Sequence, residues 1–394
     1  MSDFIERITK PEVQDFIHKN FNFDLQKLIL KGSPFKEVSI QEIATQIESR
    51  KKIEKKLPIW FKTDGLIYPP KLNLEQSSSE ITANYKTALI NNGELLDLTG
   101  GFGIDDYYFA KIASKVLHCE LNAELSAIVQ HNFKQLSISN VEFKIGDSSK
   151  VLQQIKKVNT IYIDPSRRTN LGKVFLLKDC EPNVVTYQDL YLAISDKVII
   201  KAAPMLDISA ALQVLKQVSE IHIVSVNNEC KELLFIIEKN TKTEPDVFCA
   251  LLNKERKSVY AFKYSEEKSL QIKPQPIKKY LYEPDAAILK AGFFKSLVQN
   301  FEVLKLHQHT HLYTSENMLV KFPGKIFKII KKTAFLNFKI DKSRSKANVV
   351  TRNFHLKPEE IKKKFKIKDG GNTYLFFCTD YNEQKMVIEV NRMN

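Results

Sequence analysis

The chain reads as an α/β protein built on a doubly wound, mostly parallel sheet, with helices before the sheet and smaller α+β modules after it. Three observations carry this. From residue 94 to about 238, apolar runs of strand length alternate with segments of helical spacing. The first such run, Leu95-Leu96-Asp97, leads at once into a turn holding Gly100, Gly101 and Gly103. The last two runs are separated only by 227–232, too short for a helical crossover, so they form an antiparallel pair.

In chain order, residues 1–60 place Val13, Phe16 and Ile17, then Leu25 and Leu28, then Ile40, Ile43 and Ile47 at helical intervals. Gly32 and Pro34 break this region into pieces, and Tyr68-Pro69-Pro70 is extended. A serine of the 77–79 run caps a helix over 81–90. This helical region, 1–80, is expected to serve as a lid or platform. The sheet region, 81–240, has strands expected over 95–98, 115–120, 141–146, 160–164, 197–201, 221–226 and 233–238, with helices over 125–134 and 207–218. Residues 241–324 hold a charged stretch with a strand pair, a linker, a helix over 285–297 and short strands. Residues 325–394 are basic and β-rich, with one helix over 358–365.

Of 394 residues, 43% are hydrophobic, enough for a sizeable core. No apolar run approaches the roughly 18 residues of a membrane span. The first residues, MSDFIERITKPEVQ, are charged, which points to the cytoplasm. Five cysteines without a C-x-x-C pair fit a reducing compartment and no zinc knuckle. The net charge of +14 is uneven: acids and bases balance over 1–240, while residues 321–394 carry 18 basic and 7 acidic side chains. A neutral body with a basic appendage suits a phosphate-rich partner.

The turn lets backbone approach a nucleotide or nucleoside at the carboxyl edge of the sheet. Glu120, ending the second strand, is placed to accept both hydroxyls of a ribose. Asp147, after the third strand, flanks a base edge. The candidate cofactor residues are therefore Asp97, Thr99, Gly100, Gly101, Phe102 and Gly103, with Glu120, Leu121, Asp147 and Ser148. A dinucleotide site continues G-x-G-x-x-G, and that third glycine is missing here, as is a Walker lysine. The form D-x-x-x-G-x-G resembles motif I of class I S-adenosylmethionine-dependent methyltransferases, which also end their sheet in an antiparallel hairpin.

The fourth strand ends Asp164-Pro165-Ser166-Arg167-Arg168. The resemblance implies that Asp164 and Pro165 line the methyl-transfer edge, with Arg167 and Arg168 orienting substrate; the arginines equally suit a salt-bridge anchor for the acidic 179–189 loop. Nucleic-acid amino-methyltransferases carry D-P-P-Y there and stack its aromatic on a flipped base, and this chain lacks that aromatic. The 5-methyluridine enzymes carry D-P-P-R and a nucleophilic cysteine, where this chain has Ala203 before Pro204. Cys230 is a residual nucleophile candidate. His307, His309 and His311 alternate as on one strand face and read as a structural or RNA-facing face, with no acid or cysteine spaced to complete a metal site. In the basic tail Lys342, Arg344, Lys346, Arg352, Lys362, Lys363 and Lys364 are the candidate RNA contacts, among phenylalanines read mostly as buried.

Taken together, YPPKLNLEQSSSEITANYK (68–86), LLDLTGGFGID (95–105), YIDPSRR (162–168), YEPDAAILKAG (282–292) and KANVVTRNFHLKPEEIKKK (346–364) resemble the bacterial class I methyltransferases with a ferredoxin-like domain and a C-terminal THUMP-like domain. The resemblance implies a Rossmann-like seven-stranded sheet, S-adenosyl-L-methionine as cofactor and RNA, tRNA above all, as partner. An RNA-binding protein that keeps the fold without catalysis, or a methyltransferase acting on protein or a small molecule, are the alternatives.

Overall fold

A computed structural model describes residues 3–166, 168–169, 172–173, 176–241, 244–340 and 346–393, with backbone only at 168–169 and 172–173. The chain divides into two compact units. The first comprises Met1–Ser219 and Leu234–Lys242, the second Glu220–Leu233 and Thr243–Asn394.

In the first unit, seven helices precede the sheet: α1 (Asp3–Ile8), α2 (Pro11–Lys19), α3 (Leu25–Lys31), α4 (Ile40–Ile53), α5 (Pro58–Lys62), α6 (Lys71–Gln76) and α7 (Glu80–Lys86). Pro11 and Pro58 sit in first turns, where a missing N–H costs nothing. Ser39 opens α4 with a reciprocal capping box to Glu42. Ser79, not its neighbours, caps α7. The strands β1 (Glu94–Asp97), β2 (Lys115–Glu120), β3 (Val141–Ile145), β4 (Val158–Ile163) and β5 (Ser195–Ala202) are parallel, in the order β3-β2-β1-β4-β5. Helices α8 (Ile104–Phe109), α9 (Ala123–Gln135), α10 (Ser148–Leu152), α11 (Gln188–Ile194) and α12 (Ile208–Val214) alternate with them.

The expected closing hairpin is present as β6 (Val218–Val226) and β7 (Glu229–Glu238), with β7 beside β5. Asn227 and Asn228 both take positive φ, the two-residue turn whose twist suits a hairpin. The helical region does not stand apart. Trp60 is fully buried, with its ring 5.0 Å from Phe102, 5.8 Å from Tyr107 and 6.4 Å from Phe133, so α1–α7 share one core with α8 and α9. This region is packed into one body with the helices that flank the sheet.

In the second unit, β8 (Asp246–Leu252) runs parallel to β6, and β9 (Lys257–Phe262) pairs antiparallel with β8. Helix α13 (Tyr264–Ser269) follows. The expected single helix over 285–297 is two, α14 (Ala286–Ala291) and α15 (Ser296–Phe301), because Gly292 terminates the first in a left-handed conformation. A separate seven-stranded sheet contains β10 (Tyr280–Pro284), β11 (Leu304–Lys305), β12 (Tyr313–Ser315), β13 (Gly324–Ala334), β14 (Asn348–Arg352), β15 (Thr373–Thr379) and β16 (Lys385–Arg392), in the order β11-β12-β10-β13-β16-β15-β14. Helix α16 (Pro358–Phe365) matches the span read from sequence. The sheet runs through residue 324, since β10 and β13 pair from Tyr280–Lys328 to Pro284–Gly324.

Candidate active site

Parallel strands β1, β2, β3 and β4 end at one edge, and the turn after β1 is organised by two close approaches. A Cβ on Gly100 would fall 2.2 Å from His118 Cε1, and one on Gly103 would fall 2.6 Å from a Val129 methyl. Gly103 also adopts φ 72°, capping α8. Gly100 is required by packing, and Gly103 by packing and turn conformation together.

Asp97 is almost fully buried, and its Oδ1 accepts from Thr99 N at 2.7 Å and Thr99 Oγ1 at 3.1 Å. Burial, then the neighbouring Asp106 charge, pushes its carboxyl well above the usual range. Asp97 thus braces the turn from below. The same Thr99 Oγ1 accepts from Asp164 N at 2.7 Å, tying the end of β4 to the glycine turn. Glu120 Oε2 accepts from Gly101 N at 2.9 Å and its Oε1 from Asn122 N at 2.8 Å, so this carboxylate fixes the turn while staying partly exposed. Asp147 caps α10, and its contacts with Ser149 hold its carboxyl below the ordinary range. Ser148 follows it, half-buried.

Leu121 is 74% exposed and Ile145 59% exposed, next to and directly across from Glu120. Two large apolar side chains are thus left in solvent beside two carboxylates, a combination that marks a candidate binding surface. Leu121 was in the sequence-based set. Ile145 was not, because at a strand end its apolar side chain is indistinguishable from a core position. The Phe102 ring is 4% exposed and packs on Trp60, so its side chain belongs to the core and only its backbone faces the turn.

The end of β4 contains a charged network that the sequence does not announce. Lys201 Nζ lies 2.5 Å from Asp164 Oδ2 and 3.3 Å from Ser78 Oγ. Ser78 Oγ donates to Asp105 Oδ2 at 2.8 Å, and Tyr162 donates to the same oxygen at 2.7 Å. Lys86, fully buried, reaches Asp105 at 3.1 Å and Ser78 at 3.1 Å. Burial alone would raise the Asp105 carboxyl; the Lys86 and Lys201 ammoniums with the Tyr162 and Ser78 hydroxyls outweigh it and hold it low. These residues come from α7 and the segment before it, α8, β4 and its end, and β5, so no single motif announces them. Pro165 is buried, and Ser166 exchanges backbone hydrogen bonds with Glu181 at 2.7 and 3.0 Å. Arg167 lies outside the described residues, and Arg168 is described only as backbone paired with Lys173.

The other candidates separate. Burial pushes the Cys230 thiol up to about 11, the direction opposite to that of an activated nucleophile. The three histidines do not alternate on a strand: they occupy the loop between β11 and β12, with His311 at positive φ and stacked on Phe294, while His307 bonds Glu383 at 2.7 Å. Of the basic set, Lys342 and Arg344 lie outside the described residues, and Lys346, Lys363 and Lys364 are exposed. Arg352 is held by the buried Glu283, and Lys362 pairs with Asp369 at 2.8 Å. Lys364 lies 5.0 Å over the Phe335 ring.

Residues 280–323 match the pattern of a ferredoxin-like domain and residues 324–392 that of a THUMP domain-like module. The crystal structure of a "putative methyltransferase" from Porphyromonas gingivalis W83 matches over 97% of this chain and 97% of that one, with 32% identity and a TM-score of 0.86. The chain belongs to this methyltransferase family. Its relatives include an "uncharacterized RNA methyltransferase" of Clostridium acetobutylicum, 38% identical over 79 residues, or 20% of this chain. That match spans 17% of the curated relative's length. The order β3-β2-β1-β4-β5-β7-β6 holds the seven strands expected from sequence, and β8 and β9 continue that sheet past β6 to nine strands.

Proposed function

We propose that this protein is a class I S-adenosylmethionine-dependent methyltransferase acting on RNA in the cytoplasm, with tRNA as the leading substrate. The observation that carries the cofactor reading is the group at the carboxyl edge of the sheet. Glu120 presents a carboxylate held by two backbone N–H groups, beside the exposed Leu121 and Ile145 and the low-lying Asp147 carboxylate. Such a set fits a ribose on Glu120, an adenine between the apolar side chains and a base edge near Asp147 and Ser148. Thr99, Gly100, Gly101 and Gly103 shape the backbone beside it. When bound, the cofactor supplies an electrophilic methyl group on a sulfonium.

The protein's own contribution is positioning. Thr99 bonds both Asp97 and Asp164 and so fixes the acceptor edge relative to the cofactor turn. The RNA reading is supported by the THUMP-like module at 324–392 and by the excess of basic residues there. Calorimetry tests the cofactor assignment. Glu120→Ala is expected to abolish S-adenosylmethionine binding while the thermal unfolding transition remains; unchanged affinity would refute it. Comparing methylated nucleosides from cells with and without the protein tests the RNA assignment.

A further inference from the structure

At the methyl-transfer edge the chain places an ammonium and a carboxylate side by side, and their exposure differs. Asp164 is 36% exposed and Lys201 11% exposed, so the carboxylate is presented outward and the ammonium backs it. Among the described residues no partner meets Asp164 Oδ1. Among the described residues, the charged and titratable groups around the pair include Lys86 on α7, Asp105 on α8, Tyr162 on β4 and Asp97 in the turn. Lys86 and Lys201 offset Asp105 and Asp164, so the network does not need an added charge to be stable inside the protein.

This pair discriminates between acceptors through the charge that develops on them. Attack by an exocyclic amine places positive charge on the amine and its conjugated ring nitrogen, and an ammonium alongside opposes that. Attack by a ring nitrogen that gives up its proton places negative charge on the adjoining carbonyl oxygen, and the same ammonium stabilises it. We infer that the Asp164–Lys201 pair reads a lactam edge of a nucleobase, an N–H beside a C=O as in guanine N1/O6 or uracil N3/O4, and that the ring nitrogen is the methyl acceptor. The inference rests on the RNA methyltransferase reading and adds to it the acceptor atom.

In this step the ring N–H proton passes to the Asp164 carboxylate. The freed nitrogen lone pair forms the N–CH3 bond to a methyl sulfonium donor, whose C–S bond breaks with both electrons returning to sulfur as a thioether. Lys201 exchanges its long Ser78 bond for the substrate carbonyl while keeping Asp164. The proton then leaves Asp164 to water. The missing aromatic after Asp164-Pro165 agrees with this, since edge recognition replaces the stacking platform of the amine enzymes.

The test incubates the full chain with S-adenosylmethionine and unmodified tRNA and rRNA transcripts, then identifies methylated nucleosides by mass spectrometry, with cofactor binding followed by calorimetry. The expected product is 1-methylguanosine or 3-methyluridine, which also separates guanine from uracil. Methyl on an exocyclic amine, a ring carbon or a ribose hydroxyl overturns the lactam inference and leaves RNA methylation intact. Cofactor binding with no methylated nucleoside overturns both readings.

Two variants probe the roles with the product in hand. Asp164→Asn keeps a hydrogen-bond acceptor and loses the base; it is expected to slow transfer by about 10²–10⁴-fold near neutral pH and to recover as pH rises and the ring N–H ionises in solution. A loss that does not change with pH overturns the base role. Lys201→Gln keeps a donor without the charge and is expected to slow transfer at every pH with cofactor affinity retained; a wild-type rate overturns the ammonium's role.

Discussion

His118 Nδ1 lies 2.6 Å from Asp106 Oδ2, and neither side chain is exposed to solvent. Burial lowers the His118 imidazole and raises the Asp106 carboxyl, so the pair is a neutral hydrogen bond rather than an ion pair. Asp106 also meets the Asp97 carboxyl, a contact that becomes a hydrogen bond only when one of the two carries a proton. The glycine turn after β1 therefore sits on a buried, proton-holding cluster.

That cluster makes stability depend on pH in a stated direction. A carboxyl raised in the folded state binds protons that the unfolded chain has already lost, so it costs stability as pH climbs above the ordinary carboxylate range. Asp106→Asn removes this cost and keeps an acceptor for His118 Nδ1. The variant is expected to gain on the wild type in denaturant midpoint as pH goes from 5 to 8. An offset that is the same at both values would contradict the protonated pair.

The strands of the sheet were legible from sequence because each is an apolar run ended by a turn signal, and Asp97, Glu120 and Asp147 were legible because strand ends place them at one edge. His118 and Asp106 were not, since a histidine inside an apolar strand and an acid inside a helix carry no local sign of meeting. The same holds for Lys86, Asp105 and Lys201, whose chemistry exists only once α7, α8 and β5 are packed together. Arg352 carries a structural role as well that its charge alone does not announce, since only the fold reveals Glu283 beside it.

Gly100 is the second consequence of the His118 position. A methyl group there would enter the imidazole, which is itself pinned by Asp106 and flanked by Phe143 at 5.1 Å. Gly100→Ala is expected to destabilise the protein by roughly 1–3 kcal/mol, the usual cost of overpacking. Chemical denaturation measures it; a neutral effect would mean that His118 can move.

The basic residues of the last module divide into two groups by their partners. Lys363 and Lys364 are exposed, and alanine at either is expected to reduce the slope of log affinity for tRNA against log salt by about 0.7–0.9. Stability should change by no more than about 0.5 kcal/mol. Arg352→Ala instead strips a partner from the buried Glu283, leaving Lys325 at 3.2 Å, and is expected to cost about 1–2 kcal/mol after allowing for the partly exposed guanidinium. Salt titration of binding and denaturation of the same three variants separate the groups.

Lys305 supplies the last test. Its side chain is 3% exposed, with Nζ 4.9 Å from the Tyr313 ring centre, 5.3 Å from that of Phe294 and 3.1 Å from His311 Nδ1. Burial lowers its ammonium from 10.5 to about 8. Since one unit is worth about 1.4 kcal/mol, holding this lysine charged costs on the order of 3 kcal/mol below pH 8, before the ring contacts return part of it. The unfolded chain binds the proton more tightly, so stability rises between pH 8 and 10.5 as the folded lysine becomes neutral. Lys305→Met keeps the shape and removes the charge, so it is expected to be more stable than wild type at pH 7, with the gap narrowing toward pH 10. Unfolding curves at the two pH values decide it, and a gap that stays constant would show that the lysine is charged without penalty.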